Sequence, residues 1–195
     1  MSRQYHRYSI SKQDVTRSQI SAAIILQIEI RNHIAANTLA WASLDILRSI
    51  AKNSNTETLF ERLISMIRDD KKKEVIKIFR SPYNFAKHAD LDSPDIYEKF
   101  HDNLPNWTIF IAIGAYSSIY KTRTLEMILF FAWMVANNEE IVSDSERDKI
   151  VPFCSELRGD HKMIVARELC KTLRADRKAL LDRFPPEDYP YVERI

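Results

Sequence analysis

Apolar residues return every third or fourth position along most of this chain, the period of an amphipathic helix and not the alternation of a strand. Ile20, Ile24 and Ile28 stand four apart beside Ala23, which predicts a first helix from Ser11 to Arg31. A second follows with Leu39, Ala42, Ile46, Leu47 and Ile50 on one face and the polar run Asn53–Asn55 at its end. A third covers 56–68, with Leu59, Leu63, Ile64 and Ile67 inward. A fourth opens at Asp69 and Asp70; acids at its start and Lys77 and Arg80 at its end complement the helix dipole.

Ser81-Pro82 reads as a new N-cap followed by proline at the first helical position, so a short helix is expected over 83–89. Asp92-Ser93-Pro94-Asp95 repeats that signal ahead of Ile96–Phe100. Two strongly apolar helices follow over 105–121 and 124–138, then two more over 144–157, which Pro152 would kink, and 160–183. Phe184-Pro185-Pro186 stops the last one. The sum is an all-α fold, an irregular bundle of about seven to nine helices forming a single domain over 1–195. Residues 1–12 and 185–195 are expected as extended or loosely ordered tails.

Composition narrows the picture further. Gly114 and Gly159 are the only glycines, which disfavours tight hairpins and excludes Gly-rich phosphate loops of the Rossmann and P-loop kinds. A formal net charge of +2 is too close to neutral to argue for nucleic acid, so an electrostatic partner would have to meet a local patch. Cys154 and Cys170 have no Cys or His at ligand spacing, and the polar start has no apolar signal-peptide core. Reduced thiols and a cytoplasmic location are therefore expected. The apolar stretches 107–120 and 125–136 fall short of a bilayer span and are separated by Lys121 and Arg123, so they read as core and no membrane partner is expected. Phe130, Phe131, Trp133 and Met134 leave helix 124–138 little polar surface; it must be central or bury one side against a second subunit, hence a homodimer is one expectation.

Candidate chemistry concentrates in the stretch from Arg80 to Asp95. On a helix, Asn84 and His88 stack at i and i+4, as do Tyr83 and Lys87, with Arg80 one turn earlier. An amide, an imidazole and two cations at a helix start suit a phosphate or an RNA backbone. The competing reading is structural: His88 satisfies carbonyls at a helix end and Asn84 bonds back to the preceding loop. His88, Asp90, Asp92 and Asp95 have the composition of a divalent-metal site, but Asp92 and Ser93 already cap the next helix, so no metal and no cofactor are expected. Lys71, Lys72 and Lys73, continued by Lys77 and Arg80, read as an RNA-facing strip or as a solvated face opposite Val75, Ile76 and Phe79; Asp69, Asp70 and Glu74 favour the solvated face.

Ile34-Ala-Ala-Asn-Thr-Leu-Ala-Trp-Ala-Ser-Leu-Asp-Ile-Leu47, followed by Tyr83-Asn-Phe-Ala-Lys-His-Ala-Asp-Leu-Asp92, resembles a family of uncharacterised bacterial helical proteins marked by an Asn-Phe-x-Lys-His-Ala-Asp signature. The likeness covers residues 20–120 and implies no particular activity. More distantly, the chain is similar to HEPN domains, helical bundles that act as metal-independent ribonucleases or as partners of nucleotidyltransferases. Their signature places Arg, often Asn next, then His a turn later. Asn84 and His88 match its second half, while Tyr83 stands at the arginine position and Arg80 comes three residues early. The resemblance implies the fold, and for His88 the role of general base with Asn84, Arg80, Tyr83 and Lys87 around the phosphate. Two functions follow as expectations. One is a non-catalytic interaction or regulatory protein with a protein partner, favoured by the displaced arginine. The other is a HEPN-like RNA-cleaving or RNA-binding protein using His88.

Overall fold

The computed structural model describes residues 9–87 and 96–138, together with Lys178, Asp182 and Glu193. Among the described residues there are six α-helices, one π-helical turn and no strand, which is the all-α class that the periodicity predicts. The helix predicted over 144–157 lies outside the described residues, as does the one predicted over 160–183 apart from Lys178 and Asp182, which are both helical.

Helix α1 (Lys12–Ile25) starts in a reciprocal cap, Ser11 Oγ accepting from the Asp14 amide at 3.0 Å while Asp14 accepts from the Ser11 amide at 2.9 Å. It continues into a π-helical turn (Leu26–Ile30), closed by Arg31 in the left-handed region at φ 59°. Helix α2 (His33–Ser54) is capped by Asn32 and ends on Asn55 at φ 50°. After α3 (Leu59–Ser65) and α4 (Asp69–Lys87), helix α5 (Leu104–Tyr120) begins with Pro105 in its first turn and ends on Lys121 at φ 57°. Helix α6 (Leu125–Asn137) is capped by Thr124, whose hydroxyl accepts from the Met127 amide. With glycine so scarce, three chain reversals use non-glycine residues in a conformation that costs roughly 1–2 kcal/mol outside glycine and asparagine.

Helix α2 is the centre. It packs chiefly on α5 and α1, and α4 lies against another of its sides. Its fully buried apolar residues are Ala36, Ala40, Trp41, Leu44 and Leu47, whereas Leu39, Ala42, Ile46 and Ile50, predicted to form the inner face, are half-buried. A helix with neighbours on several sides is apolar on several sides, so periodicity alone places its inner face poorly. In α3 the buried residue is Phe60, and Leu63, predicted inward, is exposed. Gly114 of α5 lets α3 approach: a methyl placed there would lie 2.9 Å from Leu59 Cβ.

Two other expectations are corrected. Ser81-Pro82 does not start a helix; α4 runs through it without interruption. Proline removes the amide that would bond to the Ile78 carbonyl four residues back, and the Ser81 hydroxyl donates to that carbonyl at 3.0 Å instead. The serine that imitates a cap thereby supports the helix interior. Residues 96–100, predicted helical, are not: residues 98 and 99 form a turn, and Ile96 is exposed. Helices α5 and α6 match the expected spans within one residue. No residue of α6 is exposed, and among the described elements it packs on α1 and α5. Among the described residues no helix is long and apolar enough to cross a membrane.

Candidate functional site

Continuity of α4 keeps Arg80, Tyr83, Asn84 and Lys87 on one helix, within two turns of each other, and removes the helix start that was to hold an anion there. The face they share is turned toward α2. Tyr83 is 5% exposed and its ring stacks on Trp41 of α2 at 6.1 Å, with Phe60 and Phe79 packed edge-on against the same indole. Arg80 donates from Nη2 to Asp45 Oδ2 at 2.6 Å, and its guanidinium carbon lies 5.6 Å from the Trp41 ring and 5.7 Å from the Tyr83 ring. Lys87, though exposed, sits with Nζ 5.5 Å from the Tyr83 ring. Asn84 is half-buried. His88 lies outside the described residues, as do Asp90, Asp92 and Asp95.

The result is a cation–aromatic–carboxylate joint between α2 and α4. Trp41 is the pivot: fully buried, ringed by aromatics and covered by the Arg80 guanidinium. Farther along, Phe85 meets Tyr97 at 5.5 Å, and the Tyr97 hydroxyl shares a 2.5 Å hydrogen bond with Ser81. Of the basic run, Lys72 pairs with Asp69 and Lys71 with Glu74, and Lys73 and Lys77 are exposed. Ile76 and Phe79 face the core as expected, while Val75 is exposed.

A second polar assembly joins α1 to α5. Tyr116, with 0% exposure, donates its hydroxyl to Glu193 Oε1 at 2.5 Å and accepts from Gln13 Nε2 at 3.3 Å. Arg17 bridges Glu193 at 3.3 Å and Asp14 at 2.6 Å. Burial, reinforced by the neighbouring Glu193 carboxylate, pushes the Tyr116 phenol well above the ordinary tyrosine value, so it stays a donor. Burial likewise raises Tyr120, whose ring tilts against Tyr116 at 4.8 Å. No local motif announces this assembly, because its members are separated by 77 and 103 residues.

A third network fixes the π-helical turn. Gln27, 2% exposed, donates to the Asp102 carbonyl at 3.0 Å and to Asn106 Oδ1 at 2.8 Å, while its own oxygen faces His33 Nδ1 at 2.9 Å. Since the Gln27 amide nitrogen is committed to oxygens, Nδ1 of His33 is the donor. His33 is thereby a structural partner in the first turn of α2. Among the described residues, no group of three His, Cys, Asp or Glu side chains is arranged to hold a metal ion.

No protein-family model, no curated protein and no solved structure matches this chain.

Proposed function

We propose that this protein is a non-catalytic interaction or regulatory protein, in which the Arg80–Lys87 segment serves chiefly as architecture. The pairing of Arg80 with Asp45 carries this reading. A phosphoryl-transfer site needs a cation free to meet developing charge. Here the guanidinium is held by a carboxylate at 2.6 Å and lies over two aromatic rings, and Tyr83, at the position of the HEPN arginine, is buried against Trp41. The outward side of α4 supports a partner-binding role: Ile78 is 64% exposed, with Val75 one turn before it and Lys77 beside it.

The test is an RNA-cleavage assay in EDTA with wild type, His88→Ala and Asn84→Ala, after circular dichroism shows that all three fold equally. The expected result is no cleavage by well-folded wild type. Cleavage that survives EDTA and disappears in both variants would overturn the proposal in favour of a HEPN-like ribonuclease with His88 as general base.

A further inference from the structure

The C-terminal end of α2 and the start of α3 border a cleft of about 580 Å³, a size usual for a small-molecule site. Arg48, Ala51 and Lys52 line it from α2, and Glu57 and Glu61 from the chain that follows. Arg48 is fixed in place. Its guanidinium carbon lies 4.3 Å from the Phe60 ring centroid, and its Nε donates to Glu61 Oε1 at 3.0 Å. Glu61 is held in turn, its other oxygen accepting from the hydroxyl of the fully buried Thr58. Among the described residues no acceptor takes Nη1 or Nη2 of Arg48. Arg80 differs, because its Nη2 is spent on Asp45. Arg48 thus keeps a planar pair of terminal donors, which matches the two oxygens of a carboxylate.

Charge decides which anion fits. Glu61 balances Arg48, and Glu57 pairs with Arg62 at 3.0 Å. Lys52 is exposed and has no carboxylate partner among the described residues, so it leaves the cleft one positive charge. The C-terminal end of α2 carries the negative pole of the helix dipole, which repels a dianion more than a monoanion. We propose that the cleft binds a small monocarboxylic acid. Its carboxylate lies across Arg48 Nη1 and Nη2 and beside Lys52 Nζ. Its short apolar body rests on Ala51, itself 3% exposed, and on the aliphatic stems of the two cations. The inference goes beyond the interaction-protein reading and does not depend on it.

The probe is hexanoate, titrated into the isotope-labelled full chain and followed by amide chemical shifts. The expected result is saturable binding with a Kd of about 1 mM, the shifts centred on residues 48–61. Lys52→Gln, at an exposed side chain, should weaken binding about threefold. Arg48→Lys, which keeps the charge and loses the planar pair, should weaken it about tenfold. Circular dichroism checks that both variants fold, and Lys52→Gln carries the residue test if Arg48→Lys does not. Sulfate, a dianion, and hexanol, which lacks the carboxylate, should each bind about tenfold more weakly than hexanoate. The inference is overturned by the absence of saturable shifts, by shifts centred elsewhere, or by equal binding of sulfate or hexanol. Folded variants that bind hexanoate as wild type does overturn it as well.

Discussion

If Arg80 is architecture, its removal must cost stability of a size the contacts set. The Arg80 and Asp45 side chains are 31% and 28% exposed, so their pairing is neither fully screened nor fully buried. At an effective dielectric near 20, two charges at this separation attract by several kcal/mol, but desolvation and side-chain ordering return most of that, leaving about 1 kcal/mol. The guanidinium lies 5.6 and 5.7 Å from the Trp41 and Tyr83 rings, toward the outer limit of cation–π attraction, which adds about 0.5 kcal/mol each. Arg80→Ala should therefore destabilise by about 2 kcal/mol, Asp45→Asn by about 1 kcal/mol, and the double variant by about 1 kcal/mol less than the sum of the singles. Arg80→Lys should fall between, keeping the charge and losing the planar stack. Urea unfolding followed by tryptophan fluorescence measures all four, with Trp41, at 0% exposure, as a reporter inside the joint. An Arg80→Ala protein within about 0.5 kcal/mol of wild type, with no coupling to Asp45, would refute the reasoning and return Arg80 to the ranks of residues available to a ligand.

Gly114→Ala should destabilise by about 1 kcal/mol by urea unfolding despite alanine's better helix propensity, because the new methyl would lie 2.7 Å from Leu59 Cδ2 and 2.9 Å from its Cβ; a Leu59→Ala background, which keeps Cβ, should relieve the loss only in part. Lys121→Gly should stabilise by about 0.5 kcal/mol in the same measurement, since φ 57° costs lysine more than glycine's extra unfolded-state freedom costs. The raised Tyr116 predicts a pH dependence with a definite sign. Its folded pKa lies above the unfolded value of 10.0, so the stability it contributes is fully present below pH 10 and is lost as pH climbs beyond it. Tyr116→Phe should be less stable than wild type at neutral pH and should lose stability less steeply in alkaline urea titrations; parallel slopes would contradict the buried-donor assignment.

Periodicity made the helical class legible, because long apolar stretches such as those of α5 and α6 have few alternatives. It failed where packing was many-sided. Helix α2 touches neighbours on several flanks, so its apolar residues do not form one stripe, and the buried set centred on Trp41 and Leu44 is not the one that spacing suggests. Ser81-Pro82 misled for a different reason. A serine beside a proline has the same composition whether the hydroxyl caps a new helix or takes over the carbonyl that the proline leaves without an amide, and only the path of the chain distinguishes the two. At the candidate site, the i, i+4 spacing that puts Tyr83 and Lys87 together was readable, whereas the commitment of Arg80 to Asp45 was not, because that partner lies 35 residues away. The Tyr116–Glu193 contact spans 77 residues and belongs to the same class of invisible pairing.

In genetic terms, the π-helical turn at Leu26–Ile30 behaves as a one-residue insertion that the helix absorbs locally. A codon deleted within 28–30 would let the turn close as ordinary α-helix while the flanking residues keep their angular phase. A codon deleted within 17–20 would instead rotate everything upstream by about 100° and swing Gln13 away from Tyr116. Length variation in this helix is thus confined by geometry to a single turn, and Gln27, fastened to three partners, marks where that tolerance begins.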